Sequence, residues 1–388
     1  MFNSIFNKLR LAIGAKLHLY RPYKTIYNLN LNPLIEQKRV ALVFLLDAHT
    51  SIADMDQVTH PNMEQHYFII QTLLKHDCII DVFDCRRDVL PYNFPTRSDI
   101  YDIIIGFGEQ YLTLCKMNPN AKKILYVTEN APWVVDIKFA ERQNYYKERY
   151  GKQIYTIARK GLYSREMFEM SDIGIVMSGP NNIREMKRVL PNIKRINVNA
   201  IKGLEPVGCD VRIKMTDARK HFLWFGSGGL IHKGLDILID AFRQLPDCYL
   251  DIYGAPPKEI DQFDLSDNVV NHGVINVNSQ QFLDDVVAKH AFVVSLSCSE
   301  GMMSGIATCM MYGLIPISTK ESGYDDCPYV INVEDWHVDN VVKVLKECSN
   351  MPVENLNNIV TAVKTFANQR YMSVNFAEEI DNILLSII

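Results

Sequence analysis

The chain has 388 residues, which at roughly 100 to 200 residues per domain predicts two or three packed units and excludes a peptide hormone or a small scaffold. Hydrophobic residues make up 48% and charged residues 22%, so disorder is excluded as the dominant state. With 41 basic and 45 acidic residues the net charge is −4, which favours no nucleic-acid partner.

The nine cysteines are scattered and include no C-x-x-C pair. This usage predicts reduced thiols in a cytoplasmic protein, not a disulfide framework or a zinc site. No apolar run approaches the ~18 residues of a membrane-spanning helix, and no secretory leader is recognisable. Neither a membrane span nor secretion is therefore expected.

Residues 1–35 form a basic segment with a local charge of +5, since Glu36 is the first acid. Apolar residues recur there at spacings of three and four, which predicts an amphipathic helix. Such a helix suits peripheral binding of residues 1–24 to an anionic membrane surface at the cytoplasmic face. The alternative is an arm that packs its apolar stripe on the rest of the chain.

From Arg39 onward, short β-branched runs alternate with segments of helical period, which is typical of α/β proteins with parallel sheets. The first series predicts strands at 39–46, 79–84, 102–106, 123–128, 172–177 and 195–200, and helices near 62–76, 109–116, 136–170 and 181–190. The second series predicts strands near 221–226, 249–253, 269–274, 291–296, 314–318 and 328–332, and helices near 233–245, 279–289 and 304–312. After Trp336 the pattern is helical to the end.

Residues 201–220 have little periodicity and contain Gly203, Pro206, Gly208 and several charged residues, which predicts a linker between two similar halves. The predicted units are the N-terminal segment 1–35, a first α/β domain 36–205, a second α/β domain 206–370 and a C-terminal helix 371–388. Two doubly wound halves place a ligand site in the cleft outside the carboxyl ends of the strands.

A glycine-rich turn, Gly226-Ser227-Gly228-Gly229, follows the first strand of the second half. Backbone amides without side-chain cover can cradle a phosphate. Lys233 stands at the start of the next predicted helix, where a cation opposes the helix dipole by ~0.3–1 kcal/mol. An anion nearby would offset that cost, so the loop predicts a phosphate site. The alternative is a solvated lysine at the end of a loop.

A second loop, from Ser297 to Gly305, again ends an apolar strand and precedes a helix. Two roles are open for Glu300 in this loop. It favours the helix dipole as an N-terminal acid, or its carboxylate accepts hydrogen bonds from two vicinal hydroxyls of a sugar.

These motifs, in this order, resemble family 4 of the GT-B glycosyltransferases, also called glycosyl transferases group 1. The similarity runs through much of 221–323, in FLWFGSGGLIHKGLDILIDAF, YLDIYG, SLSCSEGMMSGIATCMMYGLIPIST and ESGYDD. The first half is similar only in general layout. The resemblance implies an α/β protein with two Rossmann-like doubly wound domains facing a cleft, and C-terminal helices that cross back over it.

The resemblance also implies a retaining, metal-independent hexosyltransferase with no cofactor and a nucleoside diphosphate sugar as donor. Lys233 would hold the diphosphate and Glu300 the donor sugar, as the catalytic pair. The amides of Gly301, Met302, Met303 and Ser304 would face sugar or phosphate. The acceptor would be a glycan or lipid-linked molecule in the synthesis of a cell-surface polysaccharide such as capsule or lipopolysaccharide.

Two positions depart from the family pattern. Thr308 stands where the family usually has a second, ribose-binding glutamate, and Ser227 where it often has an arginine. Neither side chain supplies the charge-assisted hydrogen bond, worth roughly 1.5–3 kcal/mol, that those residues provide. These departures leave open a catalytically silent relative that binds a sugar or a protein partner.

On the acceptor side the candidates are His60 and Asn62, after the first strand, and Glu129 and Asn130, after the fourth. Strand ends of this kind line the cleft, although capping or surface roles are equally open for each residue. The pair Asp54-Met55-Asp56 is similar to the metal-binding D-x-D of another glycosyltransferase fold, but such pairs are common by chance and no metal is predicted.

Overall fold

The structure is a computed structural model that describes residues 26–45, 60–85, 100–156, 161–201, 203–204 and 215–388. Within these ranges the strands lie in two sheets. The amphipathic stretch 1–24 and the pair Asp54 and Asp56 lie outside the described residues.

The first sheet holds seven strands in the order β1-β3-β2-β4-β5-β6-β7, with β1 antiparallel to β3 and the others parallel. Its strands are β1 (Ile26–Leu29), β2 (Arg39–Phe44), β3 (Ile79–Asp84), β4 (Ile103–Gly106), β5 (Lys122–Val127), β6 (Ile173–Val176) and β7 (Ile193–Arg195). The central strands are apolar runs without alternation because both of their faces are buried, as in β2.

The second sheet holds six parallel strands in the order β10-β9-β8-β11-β12-β13. They are β8 (His221–Phe225), β9 (Tyr249–Tyr253), β10 (Val269–Gly273), β11 (Phe292–Ser295), β12 (Ile315–Ser318) and β13 (Ile331–Asn332). This is the order of a doubly wound dinucleotide-binding domain, and it confirms the predicted α/β class.

Helices connect the strands of both sheets and form the C-terminal part of the chain. They are α1 (Pro61–Lys75), α2 (Glu109–Met117), α3 (Pro132–Tyr150), α4 (Arg165–Met170), α5 (Pro180–Met186), α6 (Met215–Ala218), α7 (Leu235–Arg243), α8 (Pro257–Ile260), α9 (Ser304–Met311), α10 (Val338–Ser349), α11 (Val353–Asn368) and α12 (Ser373–Leu385). A π-helical segment, Phe282–Val287, precedes β11. None of the described helices is long and apolar enough to cross a membrane.

The structure differs from the predicted elements in several places, and helices α6, inside the predicted linker, and α8 were not predicted. Strand β1 belongs to the first sheet although it lies inside the segment predicted as 1–35. The helical pattern at 136–170 is two helices, because Gly151 adopts the left-handed conformation (φ 66°) and caps α3 by donating to Lys147 O at 2.8 Å. The strand predicted at 195–200 is wrong in its bounds, since the three-residue β7 (Ile193–Arg195) overlaps that range at Arg195 alone.

The C-terminal helix α12 crosses back and packs on α1 of the first half. The rings of Phe68 and Phe376 lie 6.2 Å apart, and Lys75 pairs with Asp381 at 2.9 Å. Glu379 accepts hydrogen bonds from Asn197, just after β7. This helix therefore links the end of the chain to the domain that holds the first sheet.

Candidate active site

The candidate site lies where the second sheet changes direction. From β8 the chain builds β9 and β10 on one side and then returns to place β11 on the other side of β8. The loops after β8 and β11 are thus neighbours at the carboxyl edge, the position at which open α/β sheets bind ligands. These are the two loops that carry the predicted site residues.

Lys233 and Glu300 form a buried ion pair at this point. The Lys233 Nζ atom lies 2.6 Å from Glu300 Oε1, and the two residues are only 4% and 8% exposed. Ser297 Oγ also donates to Glu300 Oε1, at 3.1 Å. The structure therefore brings together the two residues predicted as the catalytic pair, and it places them in contact with each other.

His232 holds the loop that carries Glu300. Its backbone oxygen accepts a hydrogen bond from Cys298 N at 2.9 Å, and its ring nitrogens contact Cys298 Sγ and the carbonyl oxygen of Ser299. Burial raises the pKa of the Cys298 thiol to about 12. The thiol is therefore protonated at neutral pH and is no nucleophile, although it stands beside an imidazole.

The glycine-rich turn already holds a carboxylate of the chain itself. Glu259, which is 1% exposed, accepts hydrogen bonds from Gly229 N at 2.9 Å and from Leu230 N at 3.0 Å. Thr156 Oγ1 donates to the same side chain at 3.2 Å. The Gly229 amide, predicted to face a phosphate, is thus used internally, and its phosphate role stays a prediction.

The other residues of the turn differ in exposure. Gly228 and Gly226 are half-buried, and Ser227 is exposed. Gly226 N donates to Tyr253 O at 3.1 Å, so this amide is hydrogen-bonded to the end of the neighbouring strand β9. The Gly226 amide is therefore already used within the protein, and a phosphate-binding role for Ser227 and Gly228 stays a prediction.

The hydroxyl of Thr308, predicted at the ribose-binding position, makes hydrogen bonds within the protein. The residue is completely buried in α9, where its hydroxyl donates to Ser304 O at 2.7 Å and accepts from Ile201 N at 2.8 Å. Both hydrogen-bonding roles are thus used, one within the helix and one with the segment that leaves the first half. The hydroxyl therefore links that segment to α9, and a contact between Thr308 and a nucleotide stays a prediction.

The first half closes directly over the loop of Glu300. A Cβ atom added at Gly301 would lie 2.3 Å from Thr128 O, so only glycine permits this approach. Asn182 Nδ2 donates to Glu300 O at 2.8 Å, and Ser178 Oγ donates to Gly301 O at 3.3 Å. Met302 and Met303 are buried beside the loop, and Ser304 begins α9.

The predicted acceptor residues lie at the carboxyl edge of the first sheet. His60 is the exposed N-cap of α1, and its ring accepts a hydrogen bond from Asn62 N at 3.2 Å. Glu129 is half-buried, whereas Asn130 is buried and accepts a hydrogen bond from Ala131 N at 2.8 Å. Capping and loop contacts account for three of these residues, and Glu129 lies beside Thr128, which meets the loop of Glu300.

Three residues of the site were not predicted from the sequence: Arg142, Asn182 and Glu259. Arg142 and Asn182 lie in helices of the first half and reach across to loops of the second. Glu259 follows β9, which neighbours β8. The position of Glu259 just beyond the carboxyl end of β9 could have identified it from the sequence. Arg142 and Asn182 lie on predicted helices, where a polar residue is as compatible with solvent exposure as with an interface.

Solved structures share this architecture at low sequence identity. Sucrose-phosphate synthase from Thermosynechococcus elongatus is 12% identical with a TM-score of 0.61, over 90% of this chain and 99% of that one. HepE from Anabaena, solved in complex with UDP and glucose, is 14% identical with a TM-score of 0.55, over 90% of this chain and 100% of HepE. Both are GT-B glycosyltransferases. The chain has the GT-B fold.

The chain is also similar in structure to the pneumococcal O-GlcNAc transferase GtfA, solved with UDP and GlcNAc. This protein is 16% identical with a TM-score of 0.50, over 75% of the chain, and the chain spans only 57% of the length of GtfA. By sequence the chain matches no model of a known family and no curated protein. Membership of family 4 stays a prediction, since likeness at these identities establishes only the GT-B fold.

Proposed function

We propose that this GT-B protein is a glycosyltransferase that moves a sugar from a nucleoside diphosphate sugar to an acceptor. The observation that carries the proposal is the buried Lys233–Glu300 pair at the switch point of the second sheet. An ammonium group suits the diphosphate, and a carboxylate suits vicinal sugar hydroxyls.

In the proposed mechanism, binding of the donor replaces the direct contact between the two side chains. Lys233 turns from Glu300 to the phosphoryl oxygens and stabilises the negative charge that develops on the departing diphosphate. Glu300 accepts hydrogen bonds from the sugar and fixes its orientation. The low exposure of both residues strengthens these interactions, because little water competes for them.

We further propose the finer features that the sequence resemblance implies: a hexosyl donor, retention of configuration without a metal, and a role in cell-surface polysaccharide synthesis. The acceptor, a glycan or a lipid-linked molecule, would enter from the first half near Glu129. Binding of residues 1–24 to anionic membrane would bring the enzyme to such an acceptor. Co-sedimentation with anionic vesicles tests this point, and equal pelleting of the full chain and a chain lacking residues 1–24 would contradict it.

The donor is tested by a thermal-shift screen of nucleotide sugars, since a ligand at 100 times its dissociation constant adds about 2.7 kcal/mol of stability. Release of nucleoside diphosphate with an acceptor then measures transfer. Lys233→Ala is expected to weaken diphosphate binding tenfold or more. Lys343→Ala, at an exposed lysine of the same half, is the control. Binding of the donor with equal affinity by both variants would contradict the role of Lys233.

A second candidate function is a catalytically silent binding protein on the GT-B fold. The internal use of the Gly229 amide by Glu259 and of the Thr308 hydroxyl by Ile201 favours it, because both groups are withdrawn from a nucleotide. A protein of this kind would be stabilised by a sugar or a partner and would release no nucleoside diphosphate. Turnover of any nucleotide sugar would exclude it.

A further inference from the structure

Arg142 is a buried cation on a helix that is otherwise largely open to solvent. In α3 only Arg142 and Tyr146 are buried, and they lie one turn apart on the side that meets the second half. Arg142 is 1% exposed. A guanidinium in such a place is uncommon, because charged groups are rarely buried unless they are paired.

Few of the hydrogen-bonding groups of Arg142 are used. Its Nη2 atom donates to Leu296 O at 2.6 Å, and the guanidinium lies 4.1 Å from the centre of the Trp336 ring. Among the described residues, its Nε and Nη1 atoms have no hydrogen-bond partner. Burial lowers the pKa of Arg142, but a guanidinium keeps its charge at neutral pH. The side chain therefore carries a positive charge, and its Nε and Nη1 groups donate no hydrogen bond to the described residues.

Arg142 stands next to the residues of the candidate site. Its Nη1 atom lies 2.9 Å from the position that a Cβ atom would take on Gly234, the residue after Lys233. Its acceptor, Leu296, begins the loop that leads to Glu300, and Phe139, one turn earlier in α3, contacts the ring of His232. Arg142, from the first half, and Lys233, from the second half, thus lie near the same loop.

The local field also favours an anion. Gly234 is the N-cap of α7, so the positive end of that helix dipole lies between the two cations. Glu300 contacts Lys233, and Asp236, in the first turn of α7, pairs with Arg149. The charges of Asp236 and Glu321 also act on Arg142 and partly oppose the lowering of its pKa by burial. A bound oxyanion would meet both the unpartnered N–H groups and the helix terminus.

We propose that Arg142 is a second cationic contact for the anion that Lys233 binds, so that a diphosphate spans the two halves of the molecule. The identity of the anion as a nucleoside diphosphate rests on the proposed function. The contact itself rests on the buried, unpartnered guanidinium and can be tested with an inorganic anion. It would make a bound anion strengthen the contact between the two halves, because each half supplies one cation.

Calorimetric titrations with pyrophosphate, UDP and uridine test the proposal on the full chain. Arg142→Gln is expected to weaken binding of pyrophosphate and of UDP tenfold or more and to leave any uridine binding unchanged. Arg142→Lys, which keeps the charge without the guanidinium fork, is expected to fall between Arg142→Gln and the unaltered protein. Arg149→Gln is the matched control, since Arg149 lies on the same helix and also contacts the second half.

If Arg142 only stabilises the contact between the halves, Arg142→Gln should lower the melting temperature without changing the preference for charged ligands. Unchanged pyrophosphate affinity in Arg142→Gln, or an equal loss in Arg149→Gln, would overturn the proposal. Should Arg142→Gln not fold, Arg142→Lys with the affinity of the unaltered protein would overturn it as well.

Three results separate this inference from the proposed function. An unaltered protein that binds pyrophosphate through Arg142 but binds no UDP and releases no nucleoside diphosphate contradicts the proposed function only. Binding of UDP that Arg142→Gln leaves intact contradicts the inference only. Binding of neither anion contradicts both.

Discussion

Removing either member of the Lys233–Glu300 pair is expected to destabilise the protein strongly. The two charges are 2.6 Å apart and almost fully buried, so each variant, Lys233→Met or Glu300→Gln, removes one charge of the pair and leaves the other buried. Breaking a buried pair in this way typically costs 3–5 kcal/mol, roughly in line with the ~4 kcal/mol attraction of unit charges 4 Å apart at an effective dielectric constant of 20. The double variant leaves no buried charge and is expected to lose less than the sum.

Urea denaturation at pH 7 measures the four free energies of unfolding in this cycle. We expect a coupling energy of about 2 kcal/mol or more. The exposed pair Arg165–Glu169 on α4 is the control, for which about 0.3–0.5 kcal/mol is expected. A coupling energy for Lys233 and Glu300 as small as that of the control would refute the reasoning, because it would mean that water screens the pair.

Three further predictions follow from individual contacts. Thr308→Val is expected to lower the free energy of unfolding by roughly 1–3 kcal/mol, because it leaves Ile201 N–H without its acceptor, and to leave nucleotide affinity unchanged; calorimetry that finds weaker binding would restore the ribose role. Burial alone would raise the pKa of Asp251, but hydrogen bonds from three histidines outweigh it and hold the pKa well below its usual value. Asp251→Asn is therefore expected to cost roughly 1.5–3 kcal/mol at pH 7, and the difference from the unaltered protein should shrink as the pH falls below about 4; a constant difference in urea titrations would contradict this. Cys298 is expected to resist alkylation at pH 8 in the folded protein and to react after unfolding, as peptide mass spectrometry can follow, and rapid labelling of the native thiol would show that it is not buried.

Much of the fold follows from local pattern. Each strand of the second half was predicted to within a few residues, because apolar β-branched runs between glycine-rich turns have few other stable arrangements. The loops that carry Lys233 and Glu300 were also predicted, since both follow a strand and precede a helix. The edge strand β1 was missed, because a single antiparallel strand of four residues has no repeating pattern around it.

The roles of several site residues could not be predicted from the sequence. Glu259 uses the Gly229 amide from 30 positions away, and Thr308 uses the Ile201 amide from 107 positions away. Both contacts depend on how distant segments pack. A local motif does not show whether a backbone amide is already hydrogen-bonded to a side chain elsewhere in the protein.

The sequence by itself determined two doubly wound halves and a cation and an acid on neighbouring loops, because periodicity and turn residues act within a few positions of each other. Only the tertiary structure decided what those loops meet. Helix α3 has the same pattern whether it faces solvent or a second domain, yet here it places Arg142 against the loop of Lys233 and Arg149 against α7. The physical reason is that burial of a helix face depends on the partner surface, which the chain supplies about 90 residues later.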